Sequence, residues 1–89
     1  MSYQIDVPPS ARREIELLPG YARAQARELI RGLKENPYPP RAKELRGKPK
    51  IYRLWVATHW RIAYRVDDDL QQILILRVRR KEQIDYESL

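Results

Sequence analysis

Apolar residues recur along the chain with two different periods. Ala11, Ile15 and Leu18 fall at i, i+4 and i+7, and Ala22, Ala26, Leu29 and Leu33 repeat at i, i+4, i+7 and i+11, with Ile30 widening the stripe. Both series have the spacing of one helical face. Pro9-Ser10 suits a helix start, with proline in the first turn and serine as the cap. Pro19-Gly20 separates the two series, so the pattern predicts an αα-hairpin over residues 9–35, its second helix running from about Tyr21 to Glu35. Asn36-Pro37 closes it, because a residue before proline avoids the α region.

Further on, the period drops to two. "KIYRLWVA" sets Tyr52, Leu54 and Val56 against Ile51, Arg53 and Trp55. "WRIAYRV" sets Trp60, Ile62, Tyr64 and Val66 against Arg61, Ala63 and Arg65, and "QQILILRVR" puts Leu74, Leu76 and Val78 on one face. Alternation of this kind predicts half-buried strands, with Thr58-His59 and Asp67-Asp68-Asp69 as the turns. "YQIDV", stopped by Pro8-Pro9, reads as a short first strand. "NPYPPRAKELRGKPK" is an ordered loop with room for a turn of helix at "RAKEL", and "RKEQIDYESL" is a polar tail. The expected order is β-α-α-β-β-β plus a short C-terminal tail. That is an α+β fold, an N-terminal strand, an αα-hairpin and an antiparallel meander, with the helices on one sheet face. It forms a single domain over 1–89. Arg53, Trp55, Arg61, Arg65, Arg77 and Arg79 then share the other face, provided the register holds.

Charge adds a direction to this layout. Arg41 to Val66 carries eight cations and one anion, a net +7, whereas the whole chain is only +6. A pI near 9.9 points to a polyanionic partner. The absence of cysteine excludes disulfides and thiolate metal sites and suits a reducing cytosol. "MSYQIDVPPS" has neither a basic n-region nor an apolar run, so no signal peptide is expected. No apolar stretch approaches the ~20 residues of a membrane span. A cytoplasmic protein is the expectation.

The candidate chemistry follows from the basic face. Arginine presents a fixed fork of donors that fits phosphate. Trp55 and Tyr52 lie among these charges, as in surfaces that stack bases and pair phosphates. Arg46, Lys48 and Lys50 border the face. Taken singly, each arginine on an exposed strand is a solubility device; the segregation of charge favours contact with nucleic acid. One histidine, no cysteine and a turn-like Asp67-Asp68-Asp69 give no metal centre, and Ser10 and Ser88 are no nucleophile. RNA brings its own nucleophile, the 2′-hydroxyl. Cleavage there needs a proton acceptor, cations on the phosphorane and an acid for the leaving oxygen. No cofactor is called for.

The order of elements, the segment "KELRGKPKIYRLWVATHWRIAYRV" and the ending "ILILRVRRKEQIDY" resemble the RelE/ParE superfamily of bacterial toxins over nearly the whole chain. The resemblance is closer to the RelE branch. It implies a ribosome-dependent endoribonuclease that cuts mRNA in the decoding site, neutralised by a co-encoded acidic antitoxin. The ParE branch would instead make the protein a DNA gyrase inhibitor, and a catalytically weak RNA- or ribosome-binding module is a third reading. Carried over, the resemblance implies an RNA-backbone contact at Arg46 and a basic catalytic-face residue at Arg53. It implies scissile-phosphate stabilisation by Arg61 and by Arg80 or Lys81, and a tyrosine beside the reacting 2′-hydroxyl at Tyr86. The chain departs from the pattern where lysine is common, having Arg53 and Trp55. Arginine titrates above ~12 and is a poor general base at neutral pH. Proton transfer then falls to Lys48, Lys50, Lys81, Tyr86 or His59, the one side chain type that ordinarily titrates near neutrality.

Overall fold

Two prolines set where the helical part begins. Pro8 occupies the N-cap with φ −62°, and Pro9 opens α1 (Pro9–Glu16). Each has its φ pre-set for this position and lacks an N–H that would go unpaired there. Ser10 is therefore already inside the helix, and no side chain caps α1; the expected serine cap is corrected. Pro19 repeats the device before α2 (Gly20–Gly32). α2 stops short of the expected Glu35 because its last bonds, Leu33 N–H to the Ile30 carbonyl and Lys34 N–H to that of Arg31, have tightened to i−3 spacing.

In the computed structural model, which describes residues 2–89, the strands are β1 (Gln4–Asp6), β2 (Lys43–Leu45), β3 (Lys48–Val56), β4 (Trp60–Asp67) and β5 (Gln72–Arg80). They form one sheet in the order β1-β5-β4-β3-β2. β1 runs parallel to β5, and every other pair is antiparallel. The α+β class and the β-α-α-β-β-β frame hold. "KEL" is not a turn of helix but an additional edge strand. Arg46-Gly47 makes a two-residue turn between the paired Leu45 and Lys48, with Gly47 at φ +73°. That backbone conformation favours glycine and marks a hairpin. Among the described residues no helix is long and apolar enough to cross a membrane.

Helices cover one sheet face. Ala11, Ile15 and Leu18 of the first helical segment and Ala22, Ala26, Ile30 and Leu33 of the second meet Leu54, Val56, Ile62, Tyr64 and Val66, all buried. β5 contributes Ile73, Ile75 and Val78, not Leu74 and Leu76 as strict alternation predicts. The pairing shows why. Tyr64 faces Ile75, but Ala63 faces Arg77, so Leu76 is an extra residue and the strand changes phase there. A bulge of this kind flips every side chain beyond it.

At the outer edge of β5, α1 supplies a carboxylate. Glu14 Oε1 accepts the Val78 N–H at 2.8 Å, while Oε2 meets the Arg79 guanidinium and lies 3.9 Å from Arg77 Nη1. One acid thus satisfies a strand-edge donor beyond β1 and draws in two arginines. At the other end, Asp68 joins four segments. It accepts from Tyr3 at 2.7 Å, from Tyr38 at 2.6 and 2.7 Å, and from Lys50 Nζ at 3.2 Å. Tyr38, Tyr52 and Tyr64 form a column with centroid spacings of 5.1 and 5.8 Å, anchored below by the Tyr64 hydroxyl on the Pro37 carbonyl. Hydrogen bonds from Tyr38 and then Tyr3, with Lys50 alongside, hold the Asp68 carboxyl below its usual range. The same carboxylate raises Lys50, and burial followed by the Asp68 contact raises Tyr38.

Replacing Glu14 with alanine is expected to cost about 1–3 kcal/mol in urea unfolding, because a buried strand donor loses its partner. Glu14→Gln keeps an acceptor for Val78 and should cost less, while its freed arginines hold the protein on heparin to higher salt. Asp68 has a depressed folded pKa, so its contribution is present above the ordinary carboxylate range and is lost as pH falls through the folded value. Lys50 has a raised one, so its contribution is lost only as pH rises past the ordinary lysine range. Asp68→Asn should lower the melting temperature at neutral pH and flatten its decline below about pH 4; thermal scans across pH check both.

Candidate functional site

Register assigns the face opposite the helices. Lys43, Arg53, Ala63 and Arg77 form one cross-strand row over β2, β3, β4 and β5; Trp55, Arg61 and Arg79 form the next; Ile51, Arg65 and Leu74 form a third. The six residues expected to share this face do share it. Its charge is not evenly available. Arg77 and Arg79 are engaged by Glu14. Arg65 is exposed.

The tail is part of this face and not a free appendage. It forms two short turns, Lys81–Gln83 and Tyr86–Ser88. The Lys81 N–H donates to the His59 carbonyl at one end of the sheet, at 2.9 Å. At the other end, Lys48 Nζ donates to the carbonyls of Glu87 and Leu89, at 2.7 and 3.2 Å. Between these anchors Ile84 is buried, as are Ile51 and Ala63, none of them in the helix-side core. The tail therefore crosses the basic face and carries Tyr86 into a cleft with Lys43, Arg46, Lys48 and Arg53. Among the described residues, Lys43, Arg46 and Arg53 have no carboxylate within ion-pairing reach.

Arg61 lies beside this cleft but under cover. It is only 5% exposed. Its Nη1 donates to the carbonyls of Trp60 and Thr58 at 2.8 and 3.4 Å, and its guanidinium carbon stands 4.4 Å from the Trp55 ring centroid. Arg61 Nε is buried without a partner. A cation held under an aromatic lid with a donor unspent keeps hydrogen-bonding capacity for an anion. Trp55 itself is half exposed, so its outer ring face is open to stacking.

Other sequence candidates lie elsewhere. Arg80 is opposite Trp60 in register, hence on the helix side, with its guanidinium 5.4 Å from that ring and its Nε 2.8 Å from Glu82. This contact lowers the Glu82 carboxyl. Lys81 and His59 are exposed beside the β3–β4 turn, His59 set edge-on to Trp60. Lys50 is drawn to Asp68, away from the cleft. The structure thus brings together Arg46, Lys48, Arg53 and Tyr86, sets Trp55 on Arg61 beside them, and leaves Arg80, Lys81, His59 and Lys50 outside. Sequence reasoning missed Lys43. The usable signal was the glycine-containing two-residue turn Arg46-Gly47, which makes a strand of "KEL" and aligns Lys43 with Arg53.

The sequence profile of the ParE toxin of the type II toxin–antitoxin system, parDE, matches residues 5–85. No curated protein matches the chain. The Mycobacterium tuberculosis RelBE2 toxin–antitoxin complex contains a chain 26% identical, aligned over 91% of this chain and 100% of that one with a TM-score of 0.76. A double arginine-to-alanine variant of Escherichia coli RelE in the free state is 25% identical over 99% and 93%, with a TM-score of 0.82. The archaeal RelE–RelB complex of Pyrococcus horikoshii is similar in fold, 20% identical over 94% and 100%, with a TM-score of 0.80. The chain belongs to the ParE toxin family of type II toxin–antitoxin systems, within the RelE/ParE superfamily.

Proposed function

We propose that this toxin is a ribosome-dependent mRNA endonuclease, cutting by attack of the 2′-hydroxyl on its own phosphodiester, and that an acidic antitoxin neutralises it. The observation that carries this reading is the cleft around Tyr86, where Lys43, Arg46 and Arg53 make no ion pair among the described residues, although Glu44 and Glu87 also line it, beside the Trp55-covered Arg61. Arg46 and Arg53 hold the RNA backbone. Trp55 stacks on a base, and its displacement from Arg61 frees that guanidinium for the scissile phosphate as charge builds on it. Lys48 sets the position of Tyr86 by clamping the turn that bears it. The antitoxin proposal draws support from the similar toxins seen in complex with RelB. An acidic segment suits the same unpaired cations.

A second reading, gyrase inhibition, is favoured by the ParE profile and by Arg53 and Trp55 standing where the resemblance wants lysine. Ribosomes programmed with a defined message separate the two. Cleavage predicts new mRNA 5′ ends by primer extension; gyrase inhibition predicts intact message and trapped gyrase–DNA complexes. Under the first, Arg61→Ala should lose about 10²–10³ in cleavage rate. An Arg61→Ala protein that cuts as fast as wild type would remove Arg61 from its role.

A further inference from the structure

We infer that Lys43, on edge strand β2, is a catalytic residue of this cleft, the group that takes the 2′-hydroxyl proton; the inference rests on the mRNA-cleavage reading. A phosphodiester is cut by its neighbouring hydroxyl only if some group can exist without its proton and then accept one. Arg46, Arg53 and Arg61 supply charge but keep their protons. Arg53 and Trp55, the β3 residues in register with Lys43 and Arg61, are not lysines, and Lys48 is the one β3 lysine in the cleft.

The remaining titratable groups are removed by geometry. Lys50 is held on Asp68, which stabilises its charged form. Lys48 spends its ammonium on two tail carbonyls. Lys81 and His59 meet each other's backbone at the β3–β4 turn, at the opposite end of the tail from Tyr86. Lys43 satisfies each condition they fail. Its register partner is Arg53, so it projects from the same face; it lines the same cleft as Tyr86; and it is exposed. β2 and β4 are two strand spacings apart, roughly 10 Å. A phosphate bridging that gap is within reach of both Lys43 and Arg61, with Arg53 between them.

The step balances with groups already in the cleft. Neutral Lys43 Nζ accepts the 2′-hydroxyl proton as the O2′–P bond forms. The P–O5′ bond breaks, and the leaving oxygen takes the phenolic proton of Tyr86. The products are a 2′,3′-cyclic phosphate and a 5′-hydroxyl. Lys43 ammonium and Tyr86 phenolate then return to their starting states by proton exchange with water.

The chain has no cysteine, so Lys43→Cys provides a single thiol for chemical rescue. Wild type, Lys43→Cys, and Lys43→Cys alkylated before addition to ribosomes are compared by primer extension on a programmed message. Two alkylating agents are used. 2-Bromoethylamine rebuilds a primary amine of nearly lysine length, and (2-bromoethyl)trimethylammonium rebuilds the charge without a transferable proton. Lys43→Cys is expected to lose about 10²–10⁴ in cleavage rate. The amine should restore most of it, and the trimethylammonium should not. Equal restoration by both reagents makes Lys43 a phosphate contact only and overturns the inference, as does a Lys43→Cys protein that cuts at the wild-type rate. A wild-type protein that cuts no message overturns the cleavage reading, and this inference with it.

Discussion

The extra residue at Leu76 decides which side of the sheet the end of β5 meets. Had β5 kept strict alternation from Ile73 and Ile75, residues 77 and 79 would follow them into the helix-side core. Two arginines would then be buried under α1, and Val78 would face the basic side. Burying a guanidinium without a matched partner costs several kcal/mol. One unpaired residue avoids this and puts Val78 opposite Ile62, Arg77 opposite Ala63 and Arg79 opposite Arg61. The division of the molecule into an apolar layer and a basic layer depends on that shift. So does the cleft, because the tail leaves β5 from its far end.

The protein's own carboxylates then sort the cations. Glu14 holds Arg77 and Arg79, Asp68 holds Lys50, and Glu82 holds Arg80. Each of these pairs also does structural duty, at a strand edge, between loops or at the start of the tail. What remains near Tyr86 is a smaller set on the β2–β3 side. Net charge alone does not reveal this; a +6 chain has many ways to spend its excess. The usable field is the part that internal acids leave unspent.

Much of the fold could be read from the sequence, for a clear reason. The 3.6-residue spacing through Ala22, Ala26 and Leu33 and the two-residue spacing through Trp60, Ile62, Tyr64 and Val66 each have one buried face, and all seven residues are buried. Four features were hidden. The phase change at Leu76 leaves no mark, since Leu74, Leu76 and Val78 alternate as well as the true set does. β2 is only three residues long and polar, so its pairing with β3 is a tertiary fact. The fate of Arg61 is a matter of cover: alternation put it on the right face, but nothing local announces that Trp55 lies across it. Asp68 likewise reads as turn chemistry until Tyr3, Tyr38 and Lys50 are seen to converge on it. The family resemblance supplied the arginines and Tyr86, and the geometry showed that Arg80 belongs to the other side of the sheet.

The parallel pairing of Gln4 with Gln72 joins one of the first strands to the last. Closing so long a loop costs entropy before any contact repays it. The β3–β4–β5 meander, joined by short turns, has no such debt and forms its basic and apolar faces from local contacts. β1 is therefore the natural last strand to dock and the first to fray. Its three residues add little area, and beyond their pairing with β5 they are fastened by the neighbouring Tyr3, through its backbone N–H on Lys34 and its hydroxyl on Asp68. The first strand of the chain thus depends for its place on segments that follow it.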